Sequence, residues 1–450
     1  MIIKPFGNRL NRFFFDKTPK INNITLLNDS EIITDPISCA ETLNNFFSEA
    51  VDDLDINRHL CVDSVLNVED SVDKAIIMYT NHPSILKIKE KDYIYKTFSF
   101  QPIGESAVKE VINNINSSKS YQKGNIPPKI LKDNVDICTI ILTPDINKCI
   151  NEGIFPNNLK NADITPLFKK NDRLLKTNYR PVSILPTLSK VYEKNLYYQI
   201  YEYFNEIFSI HLGGFRKGFS TQHCLLFMVE SIKKALDKGM CTGILLTDLS
   251  KAFDCISHDL LIAKLYVYGF SKNSLNLISD YLYDRKQRTK VGESFSTWRA
   301  VIYGVSQGSI LGPLLFNIYI NDLFFFSENF NMSNYADDCS PYEFSGSFED
   351  VIQKLHNDSK CLIEWYETNY LKPNPEKWHL LLSEKNDDYF ITIGNECVWN
   401  STNEKILGVY FDNNLSFNTH LNKLCKKASQ KLHALARVSI FMSCNQRKLL

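Results

Sequence analysis

No stretch of this 450-residue chain is apolar for long enough to cross a bilayer, so a membrane-spanning reading is excluded. Paired cysteines are missing as well. Twelve are scattered singly, with no Cys-x-x-Cys and no cysteine–histidine cluster at zinc spacing. That excludes a disulfide framework or a zinc finger, and points to reduced thiols in an intracellular protein, cytoplasmic and nuclear. The opening MIIKPFGNRLNRFFFDK sets Lys and Arg among Phe but has no long apolar segment before a small-residue cleavage site, so no signal peptide is expected. A net charge is lacking too: 51 basic and 51 acidic residues cancel. The chain therefore has no overall basic excess with which to hold a polyanion. There is no internal repeat and no regular strand–helix alternation.

What is present is a globular composition, 44% hydrophobic and 23% charged, in a chain long enough for two to four structural units. The charge is segregated. Residues 151–200 carry 8 basic and 4 acidic groups, 301–350 carry 7 acidic and no basic ones, and 401–450 carry 8 basic and 2 acidic. An acidic centre between basic segments suits a cation site flanked by phosphate-binding walls.

The hydrophobic pattern is of mixed type. DPISCAETLNNFFSEAV and GESAVKEVINNINSSKS read as amphipathic helices, and a helical pattern runs from 138 to 151. NADITPLFKKNDRLLKTNYRPVSIL reads as a hairpin, with two apolar runs around a basic turn. PTLSKVYEKNLYYQIYEYF carries Leu188, Val191, Tyr192, Leu196 and Ile200 on one helical stripe. CTGILLTDL is a buried strand running into Asp248, and SHDLLIAKLYVYGF is a helix that Ser257 caps and Gly269 ends. GVSQGSILGPLLFNIYINDL is a glycine-rich turn opening a helix at Pro313, and NYADDCSPY is strand–turn–strand.

Adjacent aspartates occur at 52–53, 337–338 and 387–388, but only Asp337-Asp338 sits among apolar and aromatic residues. Like charges there are costly unless a cation neutralises them. Asp248, at the end of its own apolar strand, supplies a further carboxylate. Two strands that each end in a carboxylate can lie side by side and share two divalent ions, which about 3.5–4 Å apart clamp both oxygens of a phosphoryl transfer. Magnesium suits such an oxygen-only site.

The motifs NYRPVSILPTLSKVYEKNL, GGFRKGFST, LLTDLSKAFDCISHDLL, GVSQGSILGPLLFNIYINDL, NYADDCSPY, NYLKPNPEKWHLLL and KILGVYFDNNLSFNTHLNKLCKKA, ordered over roughly 160 to 440, make the chain resemble a non-LTR retrotransposon reverse transcriptase of the jockey-like or LINE-like kind. Ala336 before the aspartate pair is typical of non-LTR elements. The resemblance implies an α+β right-hand polymerase with fingers, palm and partial thumb. It further implies RNA-directed DNA synthesis from deoxynucleoside triphosphates on an RNA template and DNA primer, with two Mg2+ ions (Mn2+ as a substitute).

By the same resemblance Asp248 and Asp337 are the paired metal ligands, and Asp338 is a more peripheral carboxylate. Phe253 is the aromatic gate beneath the incoming sugar, where its ring excludes a 2′-hydroxyl. Asp254 is expected to hydrogen-bond local backbone rather than metal. Gln307 and Gly308 form the turn that packs on nucleotide and template base, with Gly308 admitting the close approach; Ser306 stands where the family usually has Pro. Arg180 and Lys169 hold the triphosphate, and Lys377, with Lys372 as its rival, protonates the leaving pyrophosphate. Arg216 is assigned to nucleic-acid binding. NTHLNKLCKKASQKLHALARV is an amphipathic thumb helix: Leu421, Leu424, Ala428, Leu432 and Leu435 make its apolar stripe, and Lys423, Lys426, Lys427 and Lys431 face the duplex backbone.

The expected organisation is a helical N-terminal connector over 1–100, a helical lead-in over 101–160, fingers and palm over 161–393, and a partial thumb over 394–450, with an endonuclease domain encoded upstream. The alternative function is a catalytically inactive or host-adopted nucleic-acid-binding remnant of such an element; the presence of Asp248 and Asp337 speaks against it. Another palm-type polymerase, a group II intron maturase or a telomerase, is disfavoured by YADD and by the closely spaced LGVYFDNNLS.

Overall fold

The computed structural model describes residues 24–28, 31–49, 51, 68–91, 96–118, 120–122, 124–327, 330–384, 388–439 and 441–442. The opening MIIKPFGNRLNRFFFDK, Asp52-Asp53, Asp387 and the closing CNQRKLL lie outside the described residues. The chain is a mixed helix-and-sheet protein organised around two sheets and a large helical core.

The central sheet has four strands in the order Asn331–Tyr335, Asp338–Ser345, Cys241–Leu246 and His379–Leu382, every neighbouring pair antiparallel. The expected strand at CTGILLTDL and the expected strand–turn–strand at NYADDCSPY are its middle and one edge. The sheet is apolar on both faces because each is covered. Ile244, Tyr342 and Leu381 pack with Leu225, Met228 and Ile232 of the helix Thr221–Leu236. Leu245, Leu380 and Leu382 pack with Val351 and Leu355 of the helix Phe348–Thr368.

The second sheet contains the expected hairpin, Ala162–Phe168 against Tyr179–Ile184 in antiparallel register. Arg285–Val291 pairs in parallel with the first of these strands, and carries Ser294–Phe295 and Arg299–Val301. The N-terminal helix Pro36–Ser48, capped by the Asp35 side chain, lays Cys39, Ala40, Leu43 and Phe47 on Ala162, Ile164, Tyr179 and Val291. Asn44 adds a hydrogen bond to the Thr297 carbonyl at 3.0 Å.

The helical core collects Val191, Leu196 and Ile200 of the helix Thr187–Phe204 with Leu261 and Leu265 of His258–Val267 and the apolar face of Leu311–Ile320. Ser257 caps His258–Val267 as expected, its side chain accepting from the Leu260 N–H. The helix of GVSQGSILGPLLFNIYINDL opens at Leu311 rather than at Pro313; Ser309 accepts from the Gly312 N–H and so starts the turn two residues earlier. Inside this core the fully buried Lys264 donates to Asp322 at 2.6 Å and to the Tyr319 carbonyl at 2.7 Å, while Trp365 Nε1 donates to the other Asp322 oxygen at 2.9 Å. Each charge is thus paired and hydrogen-bonded, which makes burial tolerable.

The C-terminal helix Asn418–Ser439 covers the expected amphipathic segment. None of its described residues is buried, and Leu421, Leu424 and Leu432 of the apolar stripe are exposed. The helix is held at its start, where Phe417 packs on Phe411 and His420 lies beside Tyr410 of the strand Val409–Asp412.

Candidate active site

Register brings the carboxylates together. Regular antiparallel pairing of Cys241–Leu246 with Asp338–Ser345 ends at Ile244 opposite Tyr342, and the same register is taken up again at Thr247, whose N–H and hydroxyl both donate to the Cys339 carbonyl, at 3.1 and 2.8 Å. The following residue on one strand, Asp248, therefore lies beside the preceding residue on the other, Asp338. Asp337 occupies the hairpin turn next to them, after Ala336 in a left-handed conformation at φ 59°.

The turn is gripped from outside. Gly213 N–H donates to the Asn334 carbonyl at 3.1 Å, and Asn317 Nδ2 donates to the Gly214 carbonyl at 2.8 Å. A Cβ on Gly214 would fall 2.3 Å from the Ala336 nitrogen, so only glycine lets the two backbones meet. The motif GGFRKGFST shows two glycines in succession ahead of an aromatic residue, which is the signal the sequence carries for this close approach.

Asp248 is clasped by the segment after the helix Phe348–Thr368. Lys377 Nζ lies 3.2 Å from its Oδ2 and Asn374 Nδ2 lies 3.4 Å from the same oxygen, while Trp378 Nε1 donates to its carbonyl at 3.1 Å. Lys377, not Lys372, meets the carboxylate; Lys372 pairs through backbone with Ser250. Asp248, Asp338 and Lys377 line a cleft of about 330 Å³ together with His379, Glu404, Lys405 and Leu407.

Asp337 and Asp338 are open to solvent at the surface, yet the walls remove enough water to matter. Lost hydration pushes the Asp338 carboxyl up to about 6, with the charges of Asp337 and Asp248 adding to the effect. Asp337 is raised for the same first reason and by Asp248, with Arg180 pulling it down. Among the described residues no three His, Cys, Asp or Glu side chains stand close enough to share an ion as placed; Asp248 is turned to Lys377 and Asn374. The donor set is nonetheless carboxylate oxygen only, which is the chemistry that suits a hard divalent cation.

Cations face these carboxylates from the second sheet. Arg180 is exposed on the strand Tyr179–Ile184, and Lys169 follows the strand Ala162–Phe168 with its N–H on the Asn178 carbonyl at 2.8 Å. Lys169 has its pKa lowered by lost hydration first and then by Arg180 and Lys377, so these cations share one neighbourhood. Lys251, not among the expected site residues, belongs to it: it influences both Lys169 and Asp254, and its ammonium stands 4.7 Å over the Phe46 ring.

Phe253 is half-buried, stacked at 4.3 Å on Phe316 and edge-on to Phe215 at 5.8 Å. Gln307 and Gly308 abut the strand that carries Arg180. Ser183 N–H donates to the Gln307 carbonyl at 2.9 Å, and a Cβ on Gly308, whose φ is 138°, would fall 2.4 Å from the Ser183 carbonyl oxygen. Glycine there is thus required by this chain's own backbone. Asp254 does not spend its carboxylate on local backbone as expected; both oxygens accept from Gln307 Nε2, at 3.0 and 3.2 Å.

Two sets of expected residues lie away from the carboxylates. Arg216 donates to the Ser209 and Leu212 carbonyls at 2.6 and 3.3 Å and covers the Phe219 ring, which ties it to its own loop. Lys423, Lys426, Lys427 and Lys431 stay exposed on the C-terminal helix, with Lys423 3.4 Å over the Tyr410 ring.

The sequence profile of the reverse transcriptase (RNA-dependent DNA polymerase) family matches residues 168–411, more than half of the chain, and the chain belongs to that family. Among curated proteins it is similar to a probable RNA-directed DNA polymerase from transposon BS of Drosophila melanogaster, 27% identical over 74% of this chain and 38% of that protein. It is also similar to the RNA-directed DNA polymerase from mobile element jockey of Drosophila funebris, 25% identical over 72% of this chain and 36% of that protein. These relatives make it a jockey-like, non-LTR member, and the chain spans well under half of their length.

The raised Asp338 pKa has a stability consequence. A carboxyl raised when folded contributes stability that is complete below its ordinary value near 3.8 and is lost as pH climbs through about 6. Without divalent ions, Asp338→Asn is therefore expected to stabilise the protein at pH 7 by about 1 kcal/mol, after allowance for solvent screening. The gain should vanish by about pH 4. Urea unfolding across this range measures it; a pH-independent difference contradicts the raised Asp338 carboxyl.

Proposed function

We propose that the chain copies RNA into DNA by extending a DNA primer with deoxynucleoside triphosphates, as an RNA-directed DNA polymerase of a non-LTR retrotransposon. The carrying observation is the meeting of Asp248, Asp337 and Asp338 at one end of the central sheet, opposite Lys169, Arg180 and Lys251, in a chain of the reverse transcriptase family. In this reading the central sheet with its flanking helices is the palm, the second sheet is the fingers, and the helix Asn418–Ser439 begins the thumb, its exposed lysines lying along the primer–template backbone.

Asp248, Asp337 and Asp338 would hold two magnesium ions, which when bound supply positive charge to the attacking and leaving oxygens. Arg180, Lys169 and Lys251 hold the triphosphate, its planar fork and point charges matching phosphate oxygens. Gln307 and the Phe253 ring position base and sugar. The primer 3′-hydroxyl oxygen bonds to the α-phosphorus as its proton passes to water, the α–β phosphoanhydride bond breaks, and pyrophosphate leaves. Lys377 is the proton donor nearest the carboxylates and gives that leaving group its proton.

Primer extension on an RNA template with magnesium tests the reading. Asp337→Asn removes one anionic ligand and should lower the rate by at least about a hundredfold; substantial extension by this variant contradicts the metal assignment. Phe253→Val should raise ribonucleotide incorporation relative to deoxyribonucleotide by about tenfold in competition. If the ratio stays fixed while both rates fall, the Phe253 ring only packs on Phe316 and the sugar is selected elsewhere.

A further inference from the structure

The Gln307 side chain ends in an amide with two unlike ends. A carboxylate can only accept hydrogen bonds, whereas an amide donates from nitrogen and accepts at oxygen. Gln307 Nε2 gives its hydrogens to both oxygens of Asp254, at 3.0 and 3.2 Å. The reversed amide would set oxygen against oxygen, so an ionised Asp254 permits one orientation. Gln307 Oε1, an acceptor, is the end left for a ligand.

Neither partner can drift from the other. The Gln307 carbonyl accepts from Ser183 N–H at 2.9 Å. The loop leading to Gln307 is pinned to the turn of Asp254: Gly304 N–H donates to the Ile256 carbonyl at 2.8 Å, and Val305 N–H to the Phe253 carbonyl at 3.0 Å. Lys251 on the same turn and Lys169 from the neighbouring hairpin are the charged groups that act on Asp254. Burial pushes its carboxyl up to about 6 against the pull of Gln307 and these lysines, which leaves it ionised at neutral pH.

We propose that Asp254 is a positioning residue that locks the Gln307 amide with its oxygen toward the incoming nucleotide. Asp254 itself touches no substrate and acts through Gln307. The inference rests on the polymerase reading, because that reading puts a nucleotide beside Gln307.

The test is nucleotide affinity, read without chemistry. The full chain is bound to an RNA template and a DNA primer that lacks its 3′-hydroxyl, and the Kd for the next complementary deoxynucleoside triphosphate is measured in magnesium. Asp254→Asn keeps the shape but can face either end of the amide. It should weaken nucleotide binding by about fivefold, the scale of one net hydrogen bond. On an extendable primer the rate at saturating nucleotide should change by less than about twofold, since lost uniform binding raises KM alone. In a Gln307→Ala background, Asp254→Asn should have no further effect. An unchanged Kd, or an equal loss in the Gln307→Ala background, overturns the proposal; unchanged thermal melting shows that the variants are folded. Wild-type chain that binds no complementary nucleotide overturns the polymerase reading as well, whereas normal binding that ignores Asp254 overturns this inference alone.

Discussion

Repulsion among three carboxylates is the constraint around which this structure is arranged. Lost hydration raises the proton affinity of Asp337 and Asp338, the charge of Asp248 adds to both and that of Asp337 adds to Asp338, and a fold left to itself would spread such groups into water. Here register prevents that. The Thr247–Cys339 bonds hold the two middle strands together three residues beyond their last regular pair, Ile244 with Tyr342, and so align Asp248 with Asp338. The packing of both sheet faces under helices fixes the strands and therefore the carboxylates. What offsets the repulsion is positive charge from outside the sheet: Lys377 on Asp248, Arg180 acting on Asp337, and in the proposed function divalent ions.

Much of this was legible in the sequence because it is carried by local pattern. The apolar run before Asp248, the aspartate pair in an apolar setting, the basic hairpin turn with Lys169, and the stripe on Thr187–Phe204 each rest on periodicity or on the cost of a misplaced charge. Asp254 and Gln307 lie 53 residues apart, so nothing local announces that one orients the other. Gly214 is an ordinary glycine until Ala336 is seen against its Cα. Gly308 was expected to make room for a ligand, and the carbonyl of Ser183 supplies a reason inside the fold. The position of Lys251 depends on the left-handed turn after Ser250, at φ 51°, which a sequence does not display.

The C-terminal helix shows a different limit. It forms where the pattern places it, and Leu421, Leu424 and Leu432 of its apolar stripe are exposed among the described residues. Periodicity states that a helix has an apolar side, but not what covers it. The N-terminal helix Pro36–Ser48 has a comparable stripe and does find cover, because the second sheet offers Ile164, Tyr179 and Val291.

The account stands on the claim that the three aspartates are kept together to hold divalent cations. Titration of the purified chain with Mn2+, with free ion followed by electron paramagnetic resonance, addresses it without requiring catalysis. The account predicts that the wild-type chain binds Mn2+ and that Asp337→Asn loses at least one site while remaining folded. Equal binding by the two chains would contradict it.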